Sequence, residues 1–333
     1  MAGKIRQAKG MTAPRRLIDL SEAAWQFGQV PARSFADPAV YDLAQVTTWR
    51  PASVPGNVRT DLLAQGLIPD PFIGAGYQAS LWVEAVDWWY ICSLRPGPLA
   101  PDQRAFLTFA GIDYLSAIFI NGREVARHQG MFSDQIIEIT AACQAGESLQ
   151  LAVRLWGSQA LPKRQLSWGQ RLWQRLAGPL QGGWIGVYPD RSATLKCQMS
   201  FGWDFAPPLA TMGLWDEVTL LVAGPVFIRE ALLKGRPVFT PRPNREQLAS
   251  HAPVDVTVEL ILDAAQAGPV EVEISLSPAN FSDAVLGPYR FRLELPAGVT
   301  PHRLKLSLPR AALWQPWDRG QPHLYAFRLV VSE

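Results

Sequence analysis

The hydrophobic residues of this chain recur at every second position, and that period limits the fold more than any other feature. Leu149-Gln150-Leu151-Ala152-Val153-Arg154-Leu155 alternates, and the same pattern marks residues 254–262, 270–276, 291–295 and 304–308. A period of two sends successive side chains to opposite faces of a strand, whereas a helix needs 3.6. The 28 prolines and 26 glycines fall between these short runs. Proline removes a ladder donor, and glycine permits the tight turns that join strands. Asn121-Gly122 follows Ala117-Ile118-Phe119-Ile120 and precedes Val125, the two-residue signature of a hairpin. The chain reads as all-β, built of sandwiches.

Two segments depart from that period. Residues 57–65 carry Asp61 and paired leucines, with Gly66 placed to end a short helix. Residues 165–176 carry Leu166, Trp173 and Leu176 amid polar and basic residues, followed by Gly178-Pro179, and predict a second short helix. The rest of 157–190 is irregular, and a long excursion from a sandwich usually covers a cleft or an interface. Strand signals close at 215–222 and restart at Val226-Phe227-Ile228, which puts a boundary near Gly224-Pro225. The expected division is a disordered or loosely ordered 1–16, a first sandwich over 17–224 and a second over 225–333. The regular strand spacing of that last part suits an immunoglobulin-like sandwich.

Charge and cysteine usage exclude several functions. The 31 basic and 29 acidic residues sum to +2, too little to imply nucleic acid or an acidic membrane surface as partner. Cys92, Cys143 and Cys197 are odd in number and widely spaced, so neither a disulfide framework nor a zinc site is expected. Three buried, reduced thiols are the expectation, which suits the cytoplasm. Residues 1–17 are basic but lack the apolar run of a signal peptide, and no stretch reaches 18 consecutive apolar residues. No cofactor or metal is expected: there is no nucleophile elbow, phosphate loop or paired CxxC, and Gly182-Gly183-Trp184-Ile185-Gly186 lacks a following helix. His128, His251, His302 and His323 are far apart and read as exposed or capping residues.

The segment Ser200-Phe201-Gly202-Trp203-Asp204-Phe205-Ala206-Pro207 carries the chemistry of greatest interest. Aromatic faces cover the C–H patches of a pyranose, and a carboxylate accepts hydrogen bonds from two adjacent hydroxyls. The alternative is an Asp that caps a turn beside core aromatics. Thirteen tryptophans fit sugar clefts and large sandwich cores alike. Among other candidates, Asp113 reads as a turn residue before its strand, Asp61 as a local partner of Arg59 and Asp70 as a loop-fixing residue. Trp88-Trp89 lies in a strand, so one ring is expected in the core and the other outward.

Several motifs stand in a fixed order. Val54-Pro55-Gly56-Asn57-Val58-Arg59-Thr60-Asp61-Leu62-Leu63 leads into Gly66-Leu67-Ile68-Pro69-Asp70-Pro71-Phe72. Asp87-Trp88-Trp89-Tyr90, Gly111-Ile112-Asp113, Gly130-Met131-Phe132, the Phe-Gly-Trp-Asp block and Gly213-Leu214-Trp215 follow. From about 17 to 331 this order resembles the N-terminal half of the β-mannosidase branch of glycoside hydrolase family 2; Trp314-Gln315-Pro316-Trp317 and Pro322-His323-Leu324-Tyr325 are similar to the end of its second domain. The resemblance implies a jelly-roll, galactose-binding-like sandwich, then an immunoglobulin-like sandwich, with the catalytic (β/α)8 barrel beyond them. No strand–helix series able to form that barrel lies in these 333 residues. The catalytic carboxylate pair is therefore not expected here, and the chain alone is expected to be inactive as a glycosidase.

By the same resemblance, Asp204 lies on a loop that reaches the barrel's mouth and contacts hydroxyls of a terminal β-linked hexose, with mannose favoured. Trp203 lines or buttresses that loop. The implied partners are a carbohydrate and a barrel polypeptide. Two rivals are a free-standing carbohydrate-binding module and a subunit that assembles with a separately encoded barrel. The chain departs from the family at Pro208, where an Arg is usual, at Arg59, where a His is usual, and at Gly76-Tyr77, where an Asn-Glu pair is usual.

Overall fold

The computed structural model describes residues 15–38, 40–146, 148–161, 167–169, 193–239 and 251–332. The expected helix at 165–176 lies outside the described residues, apart from 167–169. The chain divides into two compact units, one spanning Arg16–Val222 and one that includes Ala223–Glu333. Both are built of antiparallel sheets.

In chain order, the strands of the first unit begin with β1 (Arg16–Asp19), β2 (Gln26–Pro31), β3 (Arg50–Pro51) and β4 (Val86–Leu94). β5 (Arg104–Phe109), β6 (Ile112–Asp113), β7 (Leu115–Ile120) and β8 (Arg123–Gln129) follow. β9 (Gln135–Glu138), β10 (Leu149–Leu155), β11 (Gly213–Leu214) and β12 (Val218–Ala223) complete it. They form sheets in the orders β1-β12-β5-β9, β3-β2-β4-β10-β7-β8 and β11-β6. This is a jelly-roll sandwich. Asn121 (φ 49°) and Gly122 (φ 81°) turn β7 into β8, as the sequence predicts.

The alternation of β4 and β10 builds the core between the sheets. Trp88, Tyr90, Cys92 and Leu94 face inward beside Leu149, Leu151, Val153 and Leu155. Burying side chains of this size contributes roughly 1.5–3 kcal/mol each as an upper estimate. The opposite face of the six-stranded sheet is buried too. Trp89 is fully buried there with Ala117, Phe119 and Ala152, beneath Tyr41, Leu43, Val46 and Trp49. This corrects the expectation of an outward ring at Trp88-Trp89: the 41–49 segment covers the second face. Arg154 of β10 points into this layer fully buried, and its charge is met by Asp42 at 3.0 Å and Asp87 at 2.7 Å.

The helix expected at 57–65 is α1 (Val58–Ala64). Asn57 caps it by accepting from the Thr60 amide at 3.1 Å, and Thr60 Oγ1 accepts from the Asn57 amide at 3.4 Å. Gly66 (φ 68°) ends it, with the amides of Gly66 and Leu67 turned back to the carbonyls of Leu63 and Leu62.

The second unit contains β13 (Val226–Pro237), β14 (His251–Ala264), β15 (Gly268–Pro278), β16 (Leu286–Leu295), β17 (Gly298–Ala312) and β18 (Tyr325–Ser332). Its sheets, β13-β14-β17 and β16-β15-β18, enclose a core of their own, led by Val256, Val258, Leu260 and Leu262 from β14 and Val270, Val272, Ile274 and Leu276 from β15. This is an immunoglobulin-like sandwich. Cys92 and Cys143 are buried as expected, whereas Cys197 is exposed because it lies on an outlying loop. His128 also departs from expectation: it is buried on β8, and burial lowers its pKa.

Candidate functional site

The Phe-Gly-Trp-Asp block lies on a loop between residue 193 and β11. A single 3₁₀ turn, Gln198–Phe201, sends Phe201 into the interior, where it is buried. Gly202 then adopts φ 97°, a conformation that a side chain would oppose. Trp203 and Ala206 exchange backbone hydrogen bonds of 3.0 and 3.3 Å and close a turn with Asp204 and Phe205 at its tip. Asp204 is exposed, Trp203 is 45% exposed and Phe205 is 74% exposed. Among the described residues Asp204 has no ion-pair or hydrogen-bond partner. The geometry thus leaves a carboxylate with free acceptor capacity between two accessible aromatic rings.

The stems of this loop are as buried as its tip is open. Lys196 is buried, and its ammonium donates to Asp113 Oδ1 and, at 2.6 Å, to the carbonyl of Thr211. The Thr211 hydroxyl donates to Asp113 Oδ2 at 2.6 Å. One residue earlier, the Ala210 amide donates to Glu84 Oε1 at 2.9 Å, while Arg59 donates to Glu84 and, at 3.3 Å, to the Ala210 carbonyl. Ser158 donates to the other oxygen of Glu84 at 3.3 Å.

These bonds correct two expectations. Asp113 is a buried ion-pair partner on β6, not an exposed turn residue, because Lys196 and Thr211 fill its bonding capacity. Arg59 pairs with Glu84 and not with Asp61, whose carboxylate accepts from the Ser53 amide at 3.1 Å. Asp70 fixes its loop by accepting from the Phe72 amide at 2.9 Å.

Burial governs the electrostatics. It raises the Glu84 pKa to about 7 against the opposing pull of Arg59, the Ala210 amide, Ser158 and Lys196. Desolvation likewise raises Asp113 and lowers Lys196 and Arg59, with the ion-pair partners acting in the opposite direction.

The ordered motifs converge beneath the loop. The Val58 amide donates to the Met212 carbonyl at 2.9 Å and the Gly56 amide to the Leu214 carbonyl at 2.8 Å. A Cβ at Gly213 would stand 2.5 Å from the Gly56 carbonyl oxygen, so the approach requires glycine. Trp215 donates its indole N–H to the Met131 carbonyl at 2.9 Å and meets Phe132 edge-on at 5.9 Å. Glu84 and Lys196 are absent from the sequence reading, and neither lies in a periodic run or motif that signals a buried charge.

Trp203 and Asp204 line neither of two clefts on the first unit, of about 540 and 240 Å³. Among the described residues no three His, Cys, Asp or Glu side chains gather as a metal site. No helix among them is long and apolar enough to cross a membrane.

Residues 25–216 match the family model described as glycosyl hydrolase 2 galactose-binding domain-like. The chain is 27% identical over 288 residues to a β-mannosidase B of Aspergillus terreus, covering 86% of this chain and 31% of that protein. It is 30% identical over 208 residues to the β-mannosidase B of Thermothelomyces thermophilus, covering 62% of this chain and 22% of the other. The crystal structure of a β-D-mannosidase from Dictyoglomus thermophilum superposes with a TM-score of 0.71 at 25% identity, over 96% of this chain and 34% of that one. The chain thus spans about a fifth to a third of the length of these relatives.

Proposed function

Since the chain belongs to glycoside hydrolase family 2, we propose that it serves as a non-catalytic, sugar-contacting part of a β-mannosidase-like assembly. Asp204 accepts hydrogen bonds from hydroxyls of a terminal β-linked hexose, mannose in preference, and Trp203 holds or lines the same wall. The observation that carries this reading is the open turn itself. A carboxylate without a partner among the described residues stands beside exposed Trp203 and Phe205 on stems fixed by buried charge. Hydrogen bonds to an ionised acceptor are about twice as strong as neutral ones, and their bond directions select hydroxyl stereochemistry.

The chemistry belongs elsewhere in this reading. Retaining glycoside hydrolysis needs two carboxylates about 5–5.5 Å apart, flanking the scissile bond. A (β/α)8 barrel is the proposed source of that pair and of the wall that faces Asp204. Exposed Leu195 (80%), Met199 (55%) and Phe205 favour such packing over a free-standing binding module, since they add apolar surface around the carboxylate without enclosing a groove. The jelly-roll over 17–224 and the sandwich over 225–333 are taken as the functional divisions. Cytoplasmic residence is part of the reading, supported by the unpaired Cys92, Cys143 and Cys197.

Titrating the chain with methyl β-mannoside, followed by tryptophan indole NMR, tests the reading. With half a pocket, the Kd is expected in the millimolar range or weaker. Asp204→Ala should abolish the shifts and leave the melting temperature unchanged. Aryl β-mannosides should not be turned over by the chain alone. Robust turnover that disappears on substitution of one of its own carboxylates would overturn the assignment, as would loss of folding in Asp204→Ala.

A further inference from the structure

The loop 197–209 is exposed at Trp203, Asp204 and Phe205 and buried at Phe201 and Leu209, and buried charges tie down both of its stems. Lys196, on the incoming stem, donates to Asp113 and to the carbonyl of Thr211. On the outgoing stem, Thr211 donates to the same carboxylate, and Ala210 is held at both its N–H and its C=O by Glu84 and Arg59. Arg59, Glu84, Asp113 and Lys196 are 6%, 6%, 1% and 3% exposed, two basic groups against two acidic ones.

Stability alone does not account for such an arrangement. The desolvation of buried ion pairs offsets their Coulomb attraction, so apolar residues of equal volume would serve a core as well or better. What the charges add is direction, because each matched donor and acceptor fixes where a backbone atom lies. Among the described residues Asp204 has no hydrogen-bond or ion-pair partner, and Trp203 and Ala206 close the turn between them. Its position is therefore inherited from the stems. An Ω-shaped loop pinned at the neck presents its tip at a defined place.

We propose that Arg59, Glu84, Asp113 and Lys196 form a clamp that positions the Trp203–Asp204 turn, with Lys196 and Glu84 acting as positioning residues for the sugar contact. The clamp stands on its own geometry, and only its purpose rests on the reading of Asp204 as a sugar-contacting residue. Lys196 draws the two stems together through one ammonium group. Glu84 and Arg59 fix the height of the outgoing stem over α1.

Amide hydrogen exchange on the full chain, with 5-fluorotryptophan incorporated for ¹⁹F NMR, tests the proposal. In Lys196→Met, amides of 198–206 should exchange at least about tenfold faster while those of β4 and β10 keep their rates. The Trp203 resonance, assigned with Trp203→Phe, should shift or broaden while the other tryptophan resonances hold. Thr211→Val keeps both charge pairs and removes the two hydrogen bonds of the hydroxyl, to Asp113 and from Lys196, so a several-fold acceleration confined to the loop is expected; it decides the matter if Lys196→Met does not fold. Unchanged loop exchange in the folded variants would overturn the clamp, as would acceleration spread equally over β4 and β10.

The two readings fail differently. Asp204→Asn leaves the stems intact, so loop exchange should not change while methyl β-mannoside affinity falls. If Asp204→Asn weakens the sugar but a loosened loop in Thr211→Val does not, the positioning role is overturned. If the loop loosens as expected and Asp204→Asn has no effect on affinity, the sugar reading fails and the clamp stands.

Discussion

Ionising Glu84 places a carboxylate in a site that Arg59 and Lys196 compensate only in part, which is why its pKa rises from 4.5 to about 7. Between those two values the folded chain keeps a proton that the unfolded chain has released. The contribution of this group to stability is therefore complete below pH 4.5 and declines as pH rises toward 7. In Glu84→Gln that slope disappears. Urea unfolding of both proteins from pH 4.5 to 7.5 should show the variant gaining on the parent as pH rises, by an amount on the order of 1–3 kcal/mol. Parallel profiles would place the titration elsewhere. That Asp204 stands between Trp203 and Phe205 is plain from the sequence, whereas its place on an open loop is what the family resemblance implies. The Lys196–Asp113 pair is not, since its members lie 83 residues apart and only the fold brings them together. Asp113 shows why a local reading falls short: its immediate neighbours suit a turn, but its partners come from beyond residue 195.

Single elements were the most readable part of the chain. Asn121-Gly122 specifies its hairpin because both positions need positive φ, and the sequence supplies residues that tolerate it. Asn57 and Gly66 bracket α1 for equally local reasons. Asn57→Ala should cost about 0.5–2 kcal/mol, seen as a lower urea midpoint at constant m. A change below about 0.2 kcal/mol would show that packing of Leu62 and Val58 alone holds the helix. β4 was less transparent. Its period of two separates Trp88 from Trp89 correctly, but cannot say that both faces are covered. The cover over Trp89 comes from Tyr41, Leu43, Val46 and Trp49, in a segment with almost no regular structure and hence no periodic signal.

At the scale of the molecule, each sandwich has a core of its own, drawn from residues on its own side of Ala223. Val258 is fully buried in the second core, and a charge there lacks any partner. Val258→Asp should therefore collapse exchange protection throughout β13–β18 while β4 and β10 of the first unit stay protected. Loss of protection in both would mean that the two cores fold as one. The start of β13 at Val226 was legible because strand signals are local. The pairing order of the sheets was not, because partner choice depends on which faces must be covered and not on sequence proximity.

The pairing of β1 with β12 has a consequence in time. Arg16 sits opposite Val222, so β1 is matched by a strand about 200 residues further along the chain. A ribosome adding about 5–20 residues per second needs roughly 10–40 s to travel between them. Throughout that interval β1 waits for β12, and the newborn jelly-roll stays open along that seam until the later strand emerges.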